Sequence, residues 1–259
     1  MKITRILICE DSLEGILTAV HEAYVSRYGL HDIRIQTSEG DPEFFTEQME
    51  VVTDLKAAAS VADAVRKKIS EYVFLMIRRA ACSEHPGKAQ AIYRMIVYGF
   101  HMGASVADCI AEPSVQLVTK LSRQVSRETE KLYGFVRFKT VLPGLMTADI
   151  SPKSRQLELI ADHFADRFVN ENWMIFDVVR NMACIHPCQA ACLFVAYEKK
   201  EDLLPKQLLK EDHLPYEEDI YEKLWVSFFK AVTIEQRKNP RQQMNLMPKR
   251  YWKHLPEMQ

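Results

Sequence analysis

At Gly134 the spacing of apolar residues changes from helical to alternating, and a chain with such a switch needs both helices and a sheet. Before it, from Asp54 to about Lys131, helical spacing recurs between weak breaks at Ser70, His85-Pro86-Gly87, Gly103 and Pro113. Leu75, Ile77, Ile92, Met95, Ile96 and Phe100 are the expected core of that stretch. After it, Phe135, Arg137 and Thr140 alternate with Val136, Phe138 and Val141, Pro143-Gly144 marks a turn, and Leu145–Ile150 reads as the returning strand. A mixed α+β fold is therefore expected, with a strand- and helix-rich lobe over 1–133 and an antiparallel sheet lobe over 134–259. One continuous domain is the alternative.

The flanking elements follow from the same patterns. Ile3–Cys9 is a strand expectation, and the helix after it has Ser12 as its cap and Gly29 as its stop. Ile33–Thr37 and Met49–Thr53 are further strands. In the second lobe Ser151-Pro152 is expected to open a helix reaching Phe168, with strands near Trp173–Phe176, Met182–Ile185 and Ala191–Tyr197. An acidic connection over 198–222 leads into an amphipathic helix over Tyr216–Gln236, which carries Leu224, Trp225, Phe228 and Phe229.

Composition narrows the function classes. The 34 Lys and Arg balance 35 Asp and Glu, so attraction for a polyanion has to be local. No apolar run reaches the length of a membrane span, and the opening residues meet acidic side chains too early for a secretion signal. Six cysteines in such a chain read as reduced thiols, which fits a cytoplasmic setting.

Local positive charge is concentrated between Gln236 and Pro256, where Arg237, Lys238, Arg241, Lys249, Arg250 and Lys253 meet no acid. Such cations neutralise phosphates, Tyr251 and Trp252 are candidate stacking faces for bases, and Asn239 and Gln243 are candidate base-edge readers. The alternative is a tail packed on the acidic connection. A second group, His163, Arg167, Trp173, Asp177 and Arg180, combines an imidazole, a carboxylate and two guanidiniums, suited to proton transfer or phosphate grip and equally to an ion-pair network. Arg137 is a further candidate phosphate ligand, and Glu14 is either a motif residue or a first-turn charge favoured by the helix dipole.

Cys184, His186, Cys188 and Cys192 lie in one short run, whereas structural zinc draws on two separate pairs, so no metal is expected there. No phosphate loop, dinucleotide fingerprint, His-Glu-x-x-His pair or nucleophile elbow occurs, and no cofactor is expected.

Three segments together resemble a bacterial family assigned by context to DNA metabolism or DNA repair. Its members are often encoded beside a radical S-adenosylmethionine (radical SAM) protein and sometimes fused to a uracil-DNA-glycosylase-like domain. The first is Ser12-Leu13-Glu14-Gly15 running into Leu17–Val20 and Glu22-Ala23-Tyr24, with Glu10-Asp11 and Leu13 in place of the family's Asp-Gly and Phe. The second is Gly134–Phe138 followed by His163-Phe164, Arg167-Phe168, Trp173, Ile175, Asp177 and Arg180. The third is Tyr221, Leu224-Trp225, Arg237, Asn239-Pro240, Gln243, Met247-Pro248 and Arg250-Tyr251-Trp252. A Gly-Gln-Asp-Pro-Tyr loop is missing, so glycosylase activity is not implied.

The resemblance and the basic tail together lead to the expectation of a DNA-repair protein that binds single-stranded or damaged DNA and acts with a radical SAM partner. One rival is an enzyme on a nucleobase or phosphodiester, with Asp177 or His163 as acid or base and Arg137, Arg167 and Arg180 on phosphate. The other is a non-catalytic adaptor that docks a partner on Leu224, Trp225, Phe228 and Phe229.

Overall fold

The structure, a computed structural model, describes residues 4–26, 28–40, 44–204 and 220–258. Two compact units are present, Met1–Arg127 and Glu128–Gln259.

The first unit holds three parallel strands in the order β2-β1-β3, where β1 is Thr4–Cys9, β2 Ile33–Gln36 and β3 Thr46–Val51. Helix α1 (Leu13–Val25) makes the crossover from β1 to β2. Ser12 caps it by accepting from the Gly15 amide at 2.9 Å, and it stops at Ser26, three residues before the expected Gly29. Gly15 is fixed by geometry, since a Cβ there would stand 2.5 Å from the Glu10 carbonyl oxygen. Helices α2 (Leu55–Lys68), α3 (Glu71–Ala81) and α4 (Lys88–Met102) follow, with Asp54 and Ser70 as caps of the first two. Ile77, Ile92, Met95 and Ile96 lie in the core with Leu7, Ile16 and Val65, while Leu75 and Phe100 are half-buried.

Pro113 opens α5 (Pro113–Phe135), a long helix that continues past Gly134. Residues 135–138 were expected in a strand, but β4 begins only at Lys139 (Lys139–Leu142), because Leu132 and Val136 stay on the buried face of a continuing helical turn. The second sheet runs β4-β5-β6-β7-β8, with β5 Leu145–Ile150, β6 Asn172–Asp177, β7 Met182–His186 and β8 Leu193–Ala196.

The α+β class stands, yet this sheet is not antiparallel throughout. β5 and β6 are parallel, because α6 (Leu157–Arg167) carries the chain back across one face before the second strand starts. The helix also starts six residues later than Ser151, since Ser151–Gln156 form a loop whose polar groups are engaged elsewhere.

Strand periodicity gives this sheet two unlike faces. Ala148, Ile150, Trp173, Ile175 and Cys184 share one face by register and are buried with Ile160 and Phe164 of α6. Lys139, Thr147, Asp149, Met174 and Phe176 fall on the other. Helices α7 (Ile220–Val232) and α8 (Pro240–Leu246) follow, then a 3-10 turn at Lys249–His254, from which Tyr251 enters the core beside Leu255.

Candidate functional site

Buried charge in the second unit is organised around Glu128, whose side chain is 7% exposed. Its carboxylate accepts from the Lys153 amide at 2.9 Å, the Ser154 amide at 3.0 Å, the Ser154 hydroxyl, the Tyr251 hydroxyl at 3.0 Å and Arg250 Nη2 at 2.7 Å. Burial by itself raises a carboxyl pKa. Here the combined donors outweigh it and hold Glu128 below its ordinary value. Burial pushes the Tyr251 hydroxyl up to about 12.

The basic tail is thus split in its fate. Tyr251 is 2% exposed and tilts against Phe135, and Trp252 is half-buried with Nε1 donating to the Met247 carbonyl at 2.9 Å. Tyr251 therefore offers no stacking face to a base, and Arg250 is neutralised by Glu128. Asn239 caps α8 by accepting from the Gln242 amide at 3.0 Å, and the Gln243 amide lies 3.5 Å from Met258 Sδ. With Arg237 they line a groove of about 610 Å³ between α7 and α8.

The central group does not converge. Asp177, 2% exposed, accepts from the Val179 and Arg180 amides and from Arg180 Nη1 at 2.9 Å. Arg180 also donates to the carbonyls of Pro152 and Lys153, so the pair closes the turn after β6 onto the 151–156 loop. His163 is held elsewhere, stacked on Tyr133 with ring centroids 4.1 Å apart. Arg167 is exposed beside Phe168, and Trp173 is buried, stacked on His186 at 4.9 Å. Cys184 and His186 share that buried face, while Cys188 is exposed and Cys192 half-buried. Among the described residues no group of three or more His, Cys, Asp or Glu side chains is arranged to hold a metal. In the first unit Glu14 is exposed at the rim of a cavity of about 390 Å³ near Arg66 and Arg78.

What does converge is a basic cleft of about 190 Å³ on the sheet face opposite α6. Arg137, Lys139, Lys200 and Lys253 line it with His254, and among the described residues Asp149 is the one carboxylate in the lining. Period two places Lys139, Thr147 and Asp149 on that face, and anchoring of Tyr251 and Leu255 in the core sets Lys253 and His254 at its edge. Arg137 Nη2 pairs with Glu257 at 2.7 Å, Lys139 with Glu222 at 3.1 Å, and Lys200 with Asp149. The Lys200 ammonium also lies 4.6 Å from the centre of the Phe176 ring. His254 Nε2 is 2.8 Å from the Ser151 hydroxyl. Burial and then the Lys253 charge lower its pKa from 6.5, with Asp149 opposing.

Of the expected residues, Arg137 and the tail's Lys253 stand in this cleft. Lys139 was legible as an alternating position on a strand. Lys200 lies in a segment whose composition is acidic, and no local signal marks it. Next to the cleft, Leu224, Trp225 and Phe228 of α7 are 59%, 39% and 57% exposed, and Phe229 is half-buried. No helix among the described residues is long and apolar enough to cross a membrane.

Residues 86–257 match the model of a family described as a domain of unknown function, DUF4130. No curated protein matches the chain. Among solved structures, a pGpG-specific phosphodiesterase, PggH from Vibrio cholerae, is 11% identical over 71% of this chain and 81% of its own, with a TM-score of 0.31. At that score the likeness establishes no common architecture.

Proposed function

Because this chain belongs to the DUF4130 family, whose model takes in every residue of the basic cleft, we propose that the cleft is the domain's binding site for the phosphates of nucleic acid. The observation that carries this reading is the meeting of Arg137 and Lys139 with Lys200 and with Lys253 and His254 of the tail on one cavity, residues drawn from positions 137 to 254. Arg137 is held by the buried Glu257 and by the Gly134 and Val136 carbonyls and so lines the cleft without giving up its partners, whereas Glu222 and Asp149, which face Lys139 and Lys200, are only partly buried. Ion pairs of that kind are worth ~0–1 kcal/mol, so a phosphate can displace them at little cost. The DNA-repair setting and the radical SAM partner rest on the three-segment resemblance. They belong to the same proposal, in which this chain grips the strand on which its partner acts.

A catalytic role for Asp177 and His163 has less support. Asp177 is committed to Arg180 and the turn that follows it, and neither residue lines the cleft.

The test is fluorescence anisotropy with a labelled oligonucleotide across a salt series. Three phosphate contacts, from Lys139, Lys200 and Lys253, predict a slope of log affinity against log salt of about −2 for a single strand. The double variant Lys139→Ala, Lys253→Ala should flatten that slope by about 1.4. Salt-independent binding, or an unchanged slope in the double variant, refutes the cleft.

A further inference from the structure

We infer that Trp225 and Phe228 form a base-stacking platform at the edge of the cleft, so that the site takes unpaired nucleic acid and reads its bases as well as its phosphates. The inference rests on the phosphate-binding reading of the cleft and adds the ligand's class to it.

Position makes the first argument. The Arg137 guanidinium, which lines the cleft, lies 5.1 Å from the centre of the Trp225 ring, and Lys139 in the same cleft pairs with Glu222, three residues earlier on α7. Glu222, Trp225 and Phe228 follow at i, i+3 spacing and so run along one side of the helix. The cleft's cations and the helix's rings therefore border the same site.

Exposure makes the second. Trp225 is 39% and Phe228 57% exposed, and their ring centroids are 6.0 Å apart at 35°. Large rings left in water beside a cluster of cations suit a ligand with both flat apolar faces and negative charge. An unpaired strand has both, whereas paired bases hide their faces in the duplex stack. A guanidinium on one side of an indole also orders the ring, so a base completes a cation–ring–base column without first having to fix the side chain. Of the tail's own rings, Tyr251 cannot serve, because it is buried.

The experiment compares a ten-nucleotide thymidine strand with an abasic strand of the same phosphate number, using wild type, Trp225→Ala/Phe228→Ala and Trp225→Phe. Wild type should bind the thymidine strand at least about five-fold more tightly than the abasic one. The double alanine variant should lose that preference while keeping its affinity for the abasic strand and its salt slope, and Trp225→Phe should keep most of the preference. Circular dichroism guards against misfolding, and both side chains are exposed enough to be replaced without opening the core.

A double variant that keeps the preference overturns the platform and leaves the apolar side of α7 to a protein partner. Equal wild-type binding of both strands overturns it while the cleft stands. Loss of abasic binding with the preference for bases intact instead sinks the cleft and upholds the rings. Binding of neither strand overturns both.

Discussion

Replacing Glu128 by Gln keeps the side chain's size and removes the charge on which the Lys153 and Ser154 amides, Arg250 and Tyr251 converge. Hydrogen bonds to a charged group contribute about 1.5–3 kcal/mol each, but their sum overstates the effect, because the cost of burying the carboxylate is removed with it. Breaking a buried pair from one side costs ~3–5 kcal/mol. Arg250 is 30% exposed and can rehydrate, which lowers the expectation to about 2–3 kcal/mol. All three tryptophans, Trp173, Trp225 and Trp252, lie in the second unit, so selectively excited tryptophan fluorescence during urea unfolding reports on that unit alone. With a urea dependence of ~2 kcal/mol per molar, the midpoint should fall by about 1 M. The pH dependence has a definite sign. Glu128 is held below its ordinary value of 4.5, so as pH falls the unfolded chain takes up the proton first. Its stabilising contribution is intact above about 4.5 and drains away below it, until the folded-state value is passed. The Gln variant should therefore show a flatter acid limb. A midpoint shift under about 0.3 M, or an acid limb as steep as wild type, would refute the placement of Glu128 as the anchor of loop and tail.

Three further outcomes are expected. Gly15→Ala forces a Cβ to 2.5 Å from the Glu10 carbonyl oxygen and should destabilise the first unit by ~1–3 kcal/mol, seen as an earlier thermal transition at 222 nm. Gly134→Ala meets nothing within 4 Å near the end of α5 and should stabilise the second unit by ~0.5–1 kcal/mol in the fluorescence assay. For His254, whose pKa is lowered from 6.5 by burial and Lys253, a bound phosphate would favour the charged ring against those effects, with Asp149 and Lys200 facing it as well. Affinity for a single strand should rise as pH falls and the ring takes up its proton, and His254→Asn should abolish the rise, as measured by anisotropy at constant ionic strength.

The fold was more legible in the sequence than the site, for reasons that can be traced to particular residues. Caps such as Ser12, Asp54 and Ser70 act on amides two or three positions away, so a local reading finds them. The start of β4 was misplaced because Phe135–Phe138 alternate convincingly, and the choice was made by Leu132 and Val136, whose shared burial no local window reveals. The same limit governed the function. Density of charge along the chain singled out Arg250 and Tyr251, but a buried carboxylate about 120 positions earlier, Glu128, takes both. The cations that do face a common cavity come from a strand edge, an acid-rich segment and the last turn of the tail, and while Arg137 and the tail's Lys253 stood out locally, nothing near Lys139 or Lys200 in sequence ties them to the same cavity. In this chain the cations that form a cleft are those the sheet's second face leaves outside the core, and Glu128 withdraws Arg250 from that set. If that account is right, relieving the hub should change function as well as stability. With Glu128 neutralised and the protein kept folded, Arg250 is freed, and its charge should add to the salt dependence of nucleic-acid binding.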